Sequence, residues 1–169
     1  MENMMALVAR TGRLLQRYDK GCRQVVGCIP YRYRNASQLS SFNGNLIEEE
    51  MEVLLISSQN GNGMLFPKGG WEINESMEEA ARRETLEEAG VTGNVEDRLG
   101  KWRYKSKSRP VVHEGYMFSL LVNKQFDLWP EKNNRNRKWA SVSEAREVCK
   151  QWWMREALDE LVRRQIERN

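Results

Sequence analysis

A mixed β-sheet covered by helices is the fold class this sequence predicts, and three observations predict it. Apolar runs of strand length occupy much of the first two thirds of the chain. A helix with a complete start signal interrupts them near residue 76. Two more helical stretches close the chain after residue 141. The 169 residues suffice for one hydrophobic core and are short for two, so a single domain over 1–169 is expected, with its core at about 18–162. No stretch approaches the roughly 18 to 20 uninterrupted apolar residues that a membrane span needs, so a soluble chain is expected.

Taken in order, Arg23 to Tyr33 reads as a strand in which Pro30 argues for an edge or a bend. Asn35 to Asn45 is polar and reads as an exposed loop. Met51 to Ser58 is a short apolar strand, Gln59 to Gly63 a turn with two Asn-Gly steps, and Met64 to Pro67 another short strand. Ser76 and Glu79 form a capping box, in which each side chain satisfies an orphan amide of the first helical turn. That helix should run to Ala89, with Gly90 ending it. Val91 to Lys107 and Val111 to Asn123 are strand-rich, and Lys138 to Val142 is one further short strand. Ser141 or Ser143 then caps a helix, and Trp152 to Ile166 is amphipathic through Leu158, Leu161, Val162 and Ile166. Trp139, Trp152 and Trp153 read as packing residues.

Three cysteines without a CxxC pair argue against a disulfide framework or structural zinc. They favour a reducing compartment, cytoplasmic or nuclear. The single histidine, His113, excludes any site built on two imidazoles of this chain. Met1 to Tyr18 is poor in acids and carries Arg10, Arg13 and Arg17, the composition of a weak mitochondrial presequence. Glu2, the lack of serines and the direct run into a strand weigh against it. Net charge is +3, yet residues 72–88 hold seven glutamates, so one acidic patch sits within an otherwise basic chain. That pairing suits a cation site beside a polyanionic ligand, and equally a solvated charged helix on a basic surface.

On a helix Glu87 and Glu88 fall about 60° and 40° to either side of Glu84, so three carboxylates share one face. Met77, Ala81, Thr85 and Ala89 make a neighbouring strip that seats the helix on the sheet, and Ala80 and Ala81 leave room for a ligand to come close. Like charges at these spacings destabilise a helix by roughly a few tenths of a kcal/mol per pair, and a divalent cation would remove that repulsion. Oxygen-only ligands favour Mg²⁺ or Mn²⁺. On the three glutamates alone, neutralisation by Arg82 and Arg83 in a surface network is the stronger reading.

Gly69, Glu75, Arg83, Glu84, Glu87, Glu88 and Gly90 stand at the spacing Gly-x5-Glu-x7-Arg-Glu-x-x-Glu-Glu-x-Gly, followed by Val91. This resembles the Nudix box in full over residues 69–91, with Thr85 in place of the usual aliphatic residue. The resemblance implies an α/β/α sandwich and attack by water on a phosphorus of a diphosphate, assisted by Mg²⁺ or Mn²⁺. It implies that Glu84 and Glu88 are the main metal ligands and that Glu87 is a further ligand or the base. It implies that Arg83 orients the glutamates and that the backbone of Lys68 to Gly70 completes the metal sphere.

Beyond the box, RTGRLLQRYDKGCRQVVGCIPYR (10–32), FPKGGWE (66–72), GKWRYKSKS (100–108) and LWPE (128–131) resemble the plant branch of the diphosphoinositol polyphosphate phosphohydrolases. By that resemblance the substrate is an inositol pyrophosphate or a diadenosine polyphosphate. The candidate substrate contacts are Arg23, Ser57, Ser58, Lys68, Gly69, Gly70, Lys105, Lys107, Arg135 and Arg137. In a strand, Lys101, Arg103, Lys105, Lys107 and Arg109 would all point to one face, toward an anion or simply toward solvent. Other readings are hydrolysis of ADP-ribose, NADH or capped RNA, or a non-catalytic polyphosphate sensor. No SQPWPFPxS-like element follows the box, which disfavours NADH. No nucleic-acid motif accompanies the basic runs, so no nucleic-acid partner is expected, and a monomer is.

Overall fold

A computed structural model describes residues 14–34, 48–59, 63–106 and 110–168. The expected Asn35–Asn45 loop, the middle of the Gln59–Gly63 turn, Lys107, Arg109 and most of Met1–Tyr18 lie outside the described residues. The strands are β1 (Tyr18–Asp19), β2 (Cys22–Tyr33), β3 (Met51–Ser57), β4 (Met64–Leu65), β5 (Lys68–Gly70), β6 (Val91–Lys105), β7 (Val112–Gln125) and β8 (Arg137–Ser141). The helices are α1 (Met77–Ala89), α2 (Val142–Val148) and α3 (Trp152–Arg168). None of these helices is long and apolar enough to cross a membrane.

All eight strands join one mixed sheet, with β4-β3-β2-β7-β6 as its main path. Among the described strands only β2 and β7 run parallel, from Arg23 opposite His113 to Tyr31 opposite Leu121. On its other side β2 pairs antiparallel with β5 over Val25–Gly27, then with β3 over Tyr31–Tyr33. The strand containing Pro30 is therefore central, contrary to the edge position its proline suggested. Its other neighbour changes at this point, which removes the conflict. The Cys28 amide is donated to the Pro67 carbonyl, and the missing amide two residues on would face the same side, in the gap between β5 and β3. No ladder bond is lost there.

Alternation along the strands builds two cores. Val26 and Cys28 of β2, with Tyr116, Phe118 and Leu120 of β7, meet Ala80 and Ala81 of α1. The residues between them, Ile29, Tyr31 and Met117, face the other way onto Ala145 of α2 and Trp153, Met154, Ala157 and Leu158 of α3. Helices thus cover both faces, an α/β/α sandwich. Ala80 and Ala81 serve the contact between helix and sheet rather than the approach of a ligand. Thr85 lies on the same buried strip and donates its hydroxyl to the Ala81 carbonyl at 2.7 Å, so its polar atom is satisfied within the helix. Trp153 is fully buried and stacks on Tyr104 at 4.4 Å, whereas Trp152 is half exposed.

The end of β6, the start of β7, the start of β2 and the end of β5 share one end of the sheet, because Lys105 faces Val112, His113 faces Arg23, and Val25 faces Gly70. Lys101, Arg103 and Lys105 of the edge strand β6 are exposed, with Trp102 and Tyr104 turned inward between them. Two of those cations are paired, Arg103 to Glu114 at 3.0 Å and Lys101 to Glu114 at 3.4 Å. Together with a hydrogen bond from Gln24 they hold the Glu114 carboxyl below the usual range.

Close approach of β5 to β2 depends on Gly27, where a Cβ would run into the Pro67 carbonyl and the side chain and backbone of Lys68. Gly27→Ala is expected to cost about 1–3 kcal/mol of stability. Thermal unfolding should show it as a lower Tm with an unchanged folded-state far-ultraviolet circular dichroism spectrum.

Candidate active site

The site begins with a short helix whose two ends are both fixed. Ser76 accepts from the Glu79 amide and Glu79 accepts from the Ser76 amide, closing the capping box. Gly90 ends α1 in the left-handed conformation at φ 67°, which favours glycine. The last two turns carry Glu84, Glu87 and Glu88, only 6–7% exposed. Nothing basic lies in the final turn to offset the negative helix terminus.

A loop from elsewhere in the chain satisfies that terminus. The Glu87 carbonyl accepts from the Glu131 amide, the Glu88 carbonyl from the Trp129 indole, and the Gly90 carbonyl from the Phe126 amide. Arg137 donates to the Ala89 and Gly90 carbonyls and to that of Phe126, and its guanidinium lies over the Trp129 ring at 3.9 Å. The orphan acceptors of the last turn are met by residues about 40 positions away.

The carboxylates are held by two arginines. Arg83 spans the gap between the loop and the helix: it donates to Glu75 at 2.6 and 3.0 Å, to Glu84 at 2.8 Å, to Glu87 at 3.4 Å and to the Gly70 carbonyl at 2.9 Å. Arg135 donates to Glu88 at 3.1 Å, to Glu131 at 2.8 Å and to the Ser57 carbonyl at 2.9 Å. The second oxygen of Glu88 accepts from the backbone amide of Lys68 at 3.0 Å. Both arginines are held in rigid forks that a lysine could not reproduce.

Burial, then the charge of Glu88, raises the Glu84 carboxyl above its ordinary range, with Arg83 opposing. Burial likewise raises Glu88, with Arg135 and Lys68 opposing. Burial holds the Lys68 ammonium below the usual lysine range, partly offset by Glu88. Burial thus disfavours the charged forms of Glu84 and Glu88, a penalty that a hard divalent cation among these carboxylates would relieve. Gly69 leaves the Glu84 carboxylate open on its loop side, where any Cβ would collide with it. Among the described residues no group of three or more acidic, histidine or cysteine side chains stands as a ready-made metal cage; Arg83, Arg135 and the Lys68 amide engage oxygens of Glu84 and Glu88. The donor set, all oxygen and lining open volume, fits Mg²⁺ or Mn²⁺ once those oxygens turn toward it.

A cavity of about 730 Å³ brings together most of the residues singled out from the sequence: Glu84, Glu87, Glu88, Arg83, Lys68, Gly69, Gly70, Arg23 and Arg135 all line it. Ser58 lines an adjoining cavity of about 410 Å³ that shares Lys68, Glu88 and Arg135 with the first. Three expected contacts are placed elsewhere. Arg137 is committed to the helix terminus. The Ser57 hydroxyl accepts from the Asn136 amide at 2.9 Å, so this residue shapes the loop that presents Arg135. Lys105 is exposed at the end of β6 and is not among the described residues that line either cavity. Lys107 lies outside the described residues. Sequence reasoning passed over Gln16, Glu72, Asn74 and Glu131, which also line the large cavity. For Glu131 the signal was the LWPE segment, to which no role had been attached.

Comparison with known proteins identifies the family and the fold. The family model described as the NUDIX domain matches residues 40–164. The chain is 59% identical to Nudix hydrolase 4 of Arabidopsis thaliana over 163 residues, covering 96% of this chain and 76% of that protein. It is 58% identical to Nudix hydrolase 17, mitochondrial, of the same plant, over 97% of this chain and 87% of the relative. A more distant match, 35% identical over 60% of this chain and 62% of the relative, is diphosphoinositol polyphosphate phosphohydrolase 3-alpha of Mus musculus. Among solved structures, a NUDIX hydrolase from Nitrosomonas europaea superposes with a TM-score of 0.64 at 17% identity, over 83% of this chain and 88% of that one. A C. elegans Ap4A hydrolase gives 0.61 at 20% identity, over 85% and 98%. These two show a shared fold.

Arg135 and Arg137 should separate cleanly. Arg137→Met is expected to lower stability by about 1–3 kcal/mol, through unmet carbonyls, while the Michaelis constant stays within roughly twofold. Arg135→Met should lower turnover roughly tenfold or more, because Glu88 loses its anchor. Thermal melts and steady-state kinetics on the same preparations check both.

Proposed function

This chain belongs to the NUDIX family of hydrolases acting on phosphoanhydride bonds, and we propose that its substrates are diphosphoinositol polyphosphates, from which it removes the β-phosphate, with diadenosine polyphosphates as a second class. One observation carries the reading. Glu84, Glu87 and Glu88 share a single cavity with the cations Arg23, Lys68, Arg83 and Arg135. Such a cavity binds a cation and a densely charged anion side by side. The mouse relative, a diphosphoinositol polyphosphate phosphohydrolase, points the same way.

We assign the roles as follows. Glu84 and Glu88, with Glu87 and the Lys68 backbone, would hold Mg²⁺ or Mn²⁺, which when bound lowers the pKa of water and shields charge on phosphoryl oxygens. Glu87 accepts the proton of the attacking water. Arg83 fixes the direction of the Glu84 and Glu87 carboxylates by bridging both to Glu75 and the Gly70 carbonyl. Arg23 and the Lys68 ammonium hold the non-reacting phosphates, and Ser58 borders the space for the remainder of the substrate. Water adds to one phosphorus, and the P–O bond to the bridging oxygen breaks toward the leaving phosphate.

We read the whole as one catalytic domain that acts as a monomer on a small polyanion, without a nucleic-acid partner. For the compartment, the relatives' names favour an organelle, mitochondrial for one at 58% identity and chloroplastic for another at 57%. The expected cytoplasmic or nuclear location gains nothing from them, and Arg10, Arg13 and Arg17 are consistent with a presequence.

A panel of inositol pyrophosphates, diadenosine pentaphosphate, ADP-ribose and NADH, assayed with Mg²⁺, tests the substrate class. Inositol pyrophosphates and the dinucleotide are expected to give the highest kcat/KM; NADH as the best substrate overturns the reading. Glu87→Gln should reduce kcat by roughly 10²–10⁴-fold, and chelation of divalent cations should abolish turnover reversibly. Retained turnover in Glu87→Gln would place the base elsewhere.

A further inference from the structure

The segment before β1 is part of the cavity wall. Leu15 accepts at its carbonyl from the Ile73 amide at 2.8 Å, and the Arg17 amide is donated to the Trp71 carbonyl at 2.9 Å. Gln16 bridges to Glu72 as an antiparallel partner. The Arg17 guanidinium lies over the Trp71 ring at 3.9 Å and reaches the Glu72 and Ile73 carbonyls. Residues 15–17 are thereby strapped to the loop that leads from β5 into α1, and Gln16 is brought to the cavity.

The Gln16 side chain is held at both ends of its amide. Its nitrogen donates to the carbonyls of Arg17 and Gln24 at 2.9 Å, with a longer contact to that of Trp71 at 3.5 Å. Its oxygen accepts from the Arg23 Nε at 3.0 Å. The amide occupies the space above Gly70, where any Cβ would collide with the Gln16 oxygen and crowd the Arg23 guanidinium. A primary amide with three carbonyls on its nitrogen has one orientation, so its oxygen can face only the arginine.

We propose that Gln16 is a positioning residue: it fixes the Arg23 guanidinium on the cavity wall in the orientation that receives a phosphate. The inference rests on the reading of the cavity as a polyphosphate site. It makes the strap ahead of β1 a determinant of substrate affinity, with Gly70 as the glycine that leaves it room.

A double-mutant cycle with inositol hexakisphosphate as the probe tests this by calorimetry, without turnover. The full chain is used as wild type, Gln16→Leu, Arg23→Leu and the double variant, with a thermal melt of each. Arg23→Leu should weaken binding roughly tenfold and Gln16→Leu roughly three- to tenfold. The double variant should be within twofold of Arg23→Leu. A merely structural role would lower Tm and leave the cycle additive, and additive losses overturn the proposal. So does wild-type affinity in Gln16→Leu when Arg23→Leu is weakened, leaving the cavity reading intact. If Arg23→Leu binds as well as wild type, or the wild type does not bind, the cavity reading itself falls and the proposal with it. Should Gln16→Leu fail to fold, Gly70→Ala displaces the same amide. Weakened binding that vanishes as an effect in the Arg23→Leu background supports the proposal, and any other result overturns it.

Discussion

Three carboxylates crowd the last two turns of a 13-residue helix, at the end where aligned peptide dipoles already place negative charge. Left alone this arrangement is unfavourable twice over, through like-charge repulsion and through burial of ionised groups. Much of the surrounding structure answers it. Arg83 and Arg135 place guanidinium groups against Glu84, Glu87 and Glu88, and Arg137 neutralises the helix terminus from behind. The burial penalty that the arginines leave on Glu84 and Glu88 is one that a bound divalent cation would relieve.

The sheet contributes proximity. β5 lies against β2 closely enough for the Lys68 amide to reach Glu88 across the loop; the absence of a side chain at Gly27 permits that spacing, and at Gly69 it leaves room for the Glu84 carboxylate. Small residues on α1 play the same part on the other side, since Ala80 and Ala81 bring the helix axis down onto Val26 and Cys28. The parallel pairing of β2 with β7 places the start of β2, and Arg23 with it, beside the start of β7, and Arg23 shares the cavity with the glutamates.

How much of this was legible in the sequence depended on how far apart the interacting residues are. Ser76 with Glu79, Gly90 after Ala89, and the glutamate spacing act within one helix, and the chain announces them locally. Six strand positions followed from apolar runs to within a few residues, whereas β1 and β5 gave no such run and were missed. Pro30 misled because the exchange of β5 for β3 beside it is a property of the assembled sheet. Arg137 was grouped with the phosphate contacts because a cation in sequence looks the same whether it meets an anion or a helix terminus. Gln16 gave no signal, since an amide becomes informative only when three carbonyls converge on it.

Helix termination borrowed from Phe126, Trp129, Glu131 and Arg137 couples the site to the order in which the chain assembles. Between α1 and those residues lies the long β6–β7 hairpin, so the closure entropy of that loop is met before the final turn can lock. A nascent chain that has emerged only as far as β6 carries the three glutamates on a fraying segment. Full closure of the turn that carries Glu87 and Glu88 therefore depends on residues that follow β7 in the chain.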